Sequence, residues 1–334
     1  MKVKELCGLD VAMAIAGAGW TVNSQPAGQS QSGPPARAQV DDNRATKDQL
    51  ARWMTELSNW GRWGKDDQLG TMNLVTPAKR AQAAALVKTG IAVSLSRDVT
   101  SVKGPRNAFV RTMNILPEIT MERQDIDFHG ATVTHLDALC HVSYEGKIYN
   151  GFSFEETVTN EGGCSRMGVT ALKDGLITRG ILLDIPRLKG VPYLEAAAHV
   201  YREDIEAWEK QAGVRISSGD AILLRTGRWT RMATLGPGLP KSGYDASVAP
   251  FLKERDVALL GSDETQDVGT VAGFARPLHR IGIVALGMPL FDNLDLEAVA
   301  ETAARLKRWE FLIVATPPRA SNSSGSPINP VAIF

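Results

Sequence analysis

Between His129 and His141 the chain reads HGATVTHLDALCH, placing three of its five histidines and one aspartate within a single short stretch. Neutral imidazole and carboxylate are donors that Zn²⁺ or Mn²⁺ accepts, at about 2.0–2.2 Å. In an extended segment alternate side chains share a face, so His135, Asp137, Leu139 and His141 project together. His135 and Asp137 can then share one ion. His141 needs a bend to reach the same centre and is assigned proton transfer rather than ligation. A straight strand would carry His129 ~20 Å from His135, and Gly130 permits the kink that would shorten this path. A lone histidine at a strand end is most simply a hydrogen-bonded polar group. Three of them with Asp137 point to a metal site.

A divalent ion lowers the pKa of the water it holds and polarises a carbonyl, so hydrolysis of an amide or lactone is the expected chemistry. His141 would take the proton of the attacking water and hand it to the leaving nitrogen or oxygen. No Gly-rich phosphate loop argues for a nucleotide, and no internal repeat is present. Cys140 beside His141 invites a nucleophile reading, but alternation turns it to the opposite face, where it reads as a buried small hydrophobe. His199, in an Ala-rich segment, reads as a solvated side chain.

These side chains must be positioned by a fold. Thr46 to Trp60 reads as a first helix, with Leu50, Trp53, Met54 and Leu57 on one face. A second helix is signalled by Thr76-Pro77 at its start and Gly90 at its end. Residues 91–95 read as a strand, and a long connection then leads to the histidines. SYEGKIYNG, residues 143–151, reads as a hairpin turning at Glu145-Gly146. Apolar runs at 181–185, 221–224, 257–260, 281–286 and 311–315 have the length of buried strands. Residues 203–211 and 296–308 read as helices, the latter with Asp295 as N-cap.

At 334 residues and 43% hydrophobic, the chain can bury a full core. Lys plus Arg and Asp plus Glu are both 37, so the net charge is zero and neither nucleic acid nor an anionic membrane is an expected partner. Cys7, Cys140 and Cys164 are too few for a disulfide framework. Residues 1–45 differ in composition and read as a disordered or targeting tail. Their apolar run is too short to span a bilayer. A cytoplasmic protein is expected, with export through a weak signal-like segment as the alternative.

The histidine stretch resembles the signature of the cyclase family of metal-dependent hydrolases, which includes bacterial kynurenine formamidase and isatin hydrolase, written H-x3-H-x-D-x3-H. His135, Asp137 and His141 fall on its last three positions. The first falls on Ala131, which cannot bind metal, and His129 is the candidate replacement. The resemblance continues through WGRWGKDDQLGTMNLVTP, RGILLDIPR, GDAILLRTG, LLGSDETQD, LGMPLFDNLDLE and the closing GSPINPVAIF.

Residue by residue, it implies two further ligands from the C-terminal half, His279 and Asp292. The family usually has Glu at the second of these positions. It implies an α/β (α+β) architecture of the swivelling β/β/α kind, strand-rich with flanking helices, over residues 46–334. It also implies a homodimer or higher homo-oligomer and a small-molecule substrate. An aryl formamide such as N-formylkynurenine, an intermediate of tryptophan catabolism, is the leading substrate class. A cyclic amide or lactone of the isatin type is the alternative. Trp60 and Trp63 would wall a pocket for such a flat ring. A metal-holding binding protein without catalysis is a third reading, favoured by Ala131.

Overall fold

The computed structural model describes residues 45–100, 108–269 and 271–334. Almost all of the expected tail, with Cys7 and the signal-like run, lies outside the described residues. Among the described residues one mixed sheet of nine strands dominates. Its spatial order is Ala92–Ser94, Val331–Ile333, Glu310–Ala315, Leu176–Asp184, Ala221–Arg225, Leu259–Ser262, Leu290–Asp292, His135–Asp137 and Gly325–Pro327. The four strands from Leu176–Asp184 to Leu290–Asp292 run parallel. The strands on either side of them are antiparallel.

Parallel strands joined by crossovers are covered on both faces and therefore read as unbroken apolar runs. Ile181, Leu183, Ile222, Leu224 and Leu260 enter one core cluster, whereas Leu182, Leu223 and Leu259 enter the other. Leu50 and Met54 of the Lys47–Glu56 helix, and Ile205 and Trp208 of the Arg202–Ala212 helix, belong to the first cluster. Val299, Ala300 and Ala303 of the Glu297–Leu306 helix belong to the second. This curled mixed sheet with flanking helices is the strand-rich α/β arrangement expected from the sequence.

Several local expectations are corrected. Residues 281–286 are not a strand. They form most of the π-helix Arg280–Leu286, and because every residue from Ile281 to Leu286 is buried, no period separated a helix from a strand. The connection before the histidines contains an antiparallel ribbon, Phe109–Ile115 against Thr120–Ile126, whose polar alternation hid it. The first helix stops at Glu56, short of Trp60. The 296–308 helix runs Glu297–Leu306, with Leu296 rather than Asp295 at the cap position, although Asp295 still accepts from the Glu297 N–H at 3.2 Å.

Cys140 is not a free hydrophobe. It is bonded to Cys164, with Cα atoms 6.3 Å apart, because the short Gly163–Cys164 strand lies against the turn that follows Asp137. Nor is His199 solvated. Its side chain is mostly buried, and its Nδ1 lies 2.7 Å from Asp245 Oδ2, since the His199–Val200 strand pairs with Gly243–Tyr244.

Candidate metal centre

The histidines converge because the strand that carries them is very short. His135–Asp137 pairs antiparallel with Leu290–Asp292 on one side and with Gly325–Pro327 on the other, setting His135 directly across from Asp292. Within the strand alternation holds: Leu136 is buried in the second core cluster, while His135 and Asp137 share the opposite face. Beyond Asp137 the chain turns at once, the His141 N–H donating to the Ala138 carbonyl at 3.0 Å. That turn, rather than a continued strand, folds His141 back over Asp137. Before the strand, a bend through residues 129–133 brings His129 in as well.

The result is a ring of imidazoles about one carboxylate. Asp137 Oδ1 lies 3.4 Å from His129 Nε2, 3.5 Å from His135 Nε2 and 3.7 Å from His141 Nε2. Asp137 Oδ2 lies 3.3 Å from His279 Nε2, which is itself 3.6 Å from Asp292 Oδ2. The His129 and His141 rings stack with centroids 4.1 Å apart. His279 comes from a different part of the chain, at the end of the Pro277–His279 turn that leads into the π-helix. Thus His129, His135, Asp137, His141, His279 and Asp292 all reach one place.

Hydrogen bonds on the far side of two rings fix which nitrogen faces inward. His135 Nδ1 lies 2.8 Å from the Val133 carbonyl, which can only accept, so Nδ1 carries the proton and Nε2 presents a lone pair to Asp137. His279 Nδ1 lies 2.5 Å from Asp267 Oδ2, which orients its Nε2 toward Asp137 and Asp292. Lone pairs facing carboxylate oxygens repel unless a cation lies between them. Both Asp137 oxygens are buried without a hydrogen-bond partner, which is costly for a charged group unless something positive compensates it.

Two donors each about 2.1 Å from a shared ion stand about 3.0–3.4 Å apart, close to the separations seen here. Two overlapping sets of ligand atoms meet this geometry, His129–Asp137–His141 and His135–Asp137–Asp292, with Asp137 common to both. The side chains therefore fit a divalent cation. Imidazole with carboxylate suits Zn²⁺ or Mn²⁺ equally.

The electrostatics agree. Burial would raise the Asp137 carboxyl, yet the adjacent His129 and His279 rings hold it well below the usual carboxylate range. Burial likewise disfavours charge on His279, but the carboxylates of Asp137, Asp267 and Asp292 raise it well above its ordinary value, so that without an ion this ring carries a proton on its inward nitrogen, which a bound cation would displace. Burial, reinforced by the surrounding imidazoles, pushes His141 down to about 4, so its ring is neutral at pH 7.

The cluster floors a cavity of about 410 Å³, a size that suits a small-molecule ligand. It lies at the carboxyl end of the Leu290–Asp292 strand and beside the loop after Leu259–Ser262, where ligands collect in open parallel sheets. Ala131 lines the cavity, and its carbonyl accepts from Arg228 Nη2 at 2.5 Å. Trp60 and Trp63 do not line it. Trp60 Nε1 donates to the Val284 carbonyl at 2.6 Å, covering the end of the π-helix, and Arg62 stacks on Trp63 at 4.7 Å.

Sequence reading missed the residues behind the ring. Asn293 Nδ2 donates to the carbonyls of Gly130 at 2.6 Å and Val133 at 3.0 Å, and its Oδ1 accepts from Arg228 Nη1 at 2.6 Å. Asp267 and Asn293 were both inside quoted motifs, LLGSDETQD and LGMPLFDNLDLE, but nothing in their spacing tied them to a histidine.

With this geometry established, known proteins give the context. No curated protein shows significant sequence similarity to the chain. A crystal structure described as a novel cyclase superposes with a TM-score of 0.76 at 28% identity, over 84% of this chain and 100% of that one. Isatin hydrolase A from Labrenzia aggregata, bound to benzyl benzoate, gives 0.53 at 18% identity, over 75% of this chain and 96% of that one. Isatin hydrolase A from Ralstonia solanacearum gives 0.51 at 18%, over 77% and 95%. The two isatin hydrolases, at that identity, share the fold. Residues 47–266, which hold His129 to His141 and Asp267's neighbours but neither His279 nor Asp292, match the Cyclase family model, and the chain belongs to the cyclase family.

Proposed function

We propose that the chain is a metal-dependent hydrolase that cleaves the C–N bond of an aryl formamide. A cyclic amide or lactone of the isatin type is the alternative, favoured by the fold shared with the two isatin hydrolases. The observation that carries the reading is the Asp137 carboxylate, buried and without a hydrogen bond amid inward-facing imidazole nitrogens at the floor of a cavity.

His135, Asp137, His279 and Asp292 would hold the ion, with His129 supplying the donor that Ala131 lacks. A divalent ion bound there supplies Lewis acidity toward a carbonyl and makes water acidic enough to attack near neutral pH. The protein does the rest. The His135 and His279 rings are locked by Val133 and Asp267, so their lone pairs need no reorganisation. His141, neutral and within the ring, takes the proton from the attacking water as the new C–O bond forms. It returns that proton to the leaving nitrogen as the C–N bond breaks, giving formate and an amine.

Replacing His141 tests the assignment. In His141→Ala, turnover of an aryl formamide is expected to fall at least about a hundredfold while bound metal stays at the native level. Loss of metal together with activity would make His141 a ligand, and full activity would remove its role. Metal without turnover of any amide or lactone in the native protein would favour a binding function instead.

A homo-oligomer belongs to the same reading. The residue 109–126 ribbon leaves Met113, Ile115, Ile119 and Met121 exposed, and an isolated two-stranded ribbon is marginally stable in water. Among the described residues no helix is long and apolar enough to cross a membrane. The Cys140–Cys164 bond supports the exported alternative over a cytoplasmic one.

A further inference from the structure

The cavity carries two cations that the proposed ligation and proton transfer do not use. Lys241 and Arg276 line it together with the histidine cluster. Among the described residues Arg276 makes no ion pair and no side-chain hydrogen bond. It is also held at φ 49°, in the left-handed region that a non-glycine residue adopts only under constraint. Lys241 donates to the Thr265 hydroxyl, another lining residue. Lys241 also acts through space on the Glu264 carboxyl, but Glu264 is already held by Arg231 at 2.7 Å and lies 3.4 Å from Arg228. The acids of the cavity are committed as well: Asp267 to His279 and to the Leu278 N–H, Asp137 and Asp292 to the ring.

Two exposed cations that line a small cavity, neither of them in an ion pair among the described residues, give a field that favours an anion. A planar guanidinium and an ammonium lining one cavity suit a carboxylate, which can accept from both. We infer that Lys241 and Arg276 form a carboxylate subsite, so that the preferred substrate carries a carboxylate in addition to the carbonyl that is cleaved. This deepens the hydrolase reading and rests on it.

The test compares 2-formamidobenzoate with formanilide, the same aryl formamide without its carboxylate, on the metal-loaded native chain. Native kcat/KM is expected to favour 2-formamidobenzoate. The ratio of the two kcat/KM values should fall about tenfold in Arg276→Gln and in Lys241→Met, through KM for 2-formamidobenzoate. Equal values on the two substrates, or a ratio that both variants leave intact, would overturn the subsite.

Calorimetry of benzoate binding to the metal-loaded chain keeps this failure separate from failure of the hydrolase reading. If neither formamide nor any lactone is hydrolysed, the hydrolase reading falls, but benzoate affinity reduced about tenfold in the variants still supports the subsite. Benzoate binding alike to native and variant chains would place the carboxylate on the ion and overturn it.

Discussion

At the scale of single residues, the site depends on what each polar group lacks. Asp137 is buried with nothing donating to it, whereas Asp245, also largely buried, accepts from the Ser247 N–H at 2.8 Å and lies 2.7 Å from His199 Nδ1. Burial alone would raise the Asp245 carboxyl, and these partners instead hold it below the usual range. A carboxyl depressed in the folded state adds stability that is complete above its unfolded pKa, about 3.9, and is lost as pH falls through the folded value. Asp245→Asn should therefore cost about 1–3 kcal/mol at pH 7, with the difference from native shrinking below about pH 4. Denaturant melts at pH 7 and pH 3 check it. A constant difference would mean that the charge contributes nothing.

At the scale of elements, the ring depends on close approaches that only certain residues allow. A methyl group added at Gly325 would lie 2.5 Å from the Leu136 carbonyl oxygen and 2.6 Å from His129 Nε2, so this glycine leaves room both for the His135–Asp137 strand and for the imidazole beside it. Gly325→Ala is expected to displace His129. Asn293→Ala would release the 129–133 bend by removing its bonds to Gly130 and Val133. Each should weaken metal binding about 10–100-fold, as loss of supporting contacts typically does. Competition with a chelator measures it, and native affinity in both would show that the bend holds itself.

Much of this element-level picture was legible in the chain. Alternation placed His135 and Asp137 on one face, Thr46 and Thr76 marked helix starts, and the doubly buried strands showed as apolar runs. The remainder was hidden for physical reasons. The turn after Asp137 is set by a backbone bond between Ala138 and His141 and by the neighbouring strands, none of which leaves a local signal. A helix buried throughout from Ile281 to Leu286 has no polar face to reveal its period. Trp60 reads as a substrate wall from composition alone, and only tertiary contact shows it covering Val284.

At the scale of the whole molecule, long-range pairings hold the two halves of the site together. The Cys140–Cys164 bond, 24 residues apart in sequence, ties the end of the histidine stretch to the segment that contacts Asn322. A loop of that size contributes about 3 kcal/mol. The double variant Cys140→Ala with Cys164→Ala should lose about that much in a chemical denaturation series, and an unchanged midpoint would show the bond to be dispensable. His279 and Asp292, meanwhile, must meet a strand more than a hundred residues earlier, and on the proposed metal-site reading a bound cation would favour that meeting.

Elemental analysis of the purified, exhaustively dialysed chain tests this most directly. The native protein is expected to retain about one divalent ion per chain, and Asp137→Asn to retain almost none. A native chain that stays empty after incubation with Zn²⁺ and Mn²⁺, or an Asp137→Asn variant that holds as much metal as native, would contradict the account.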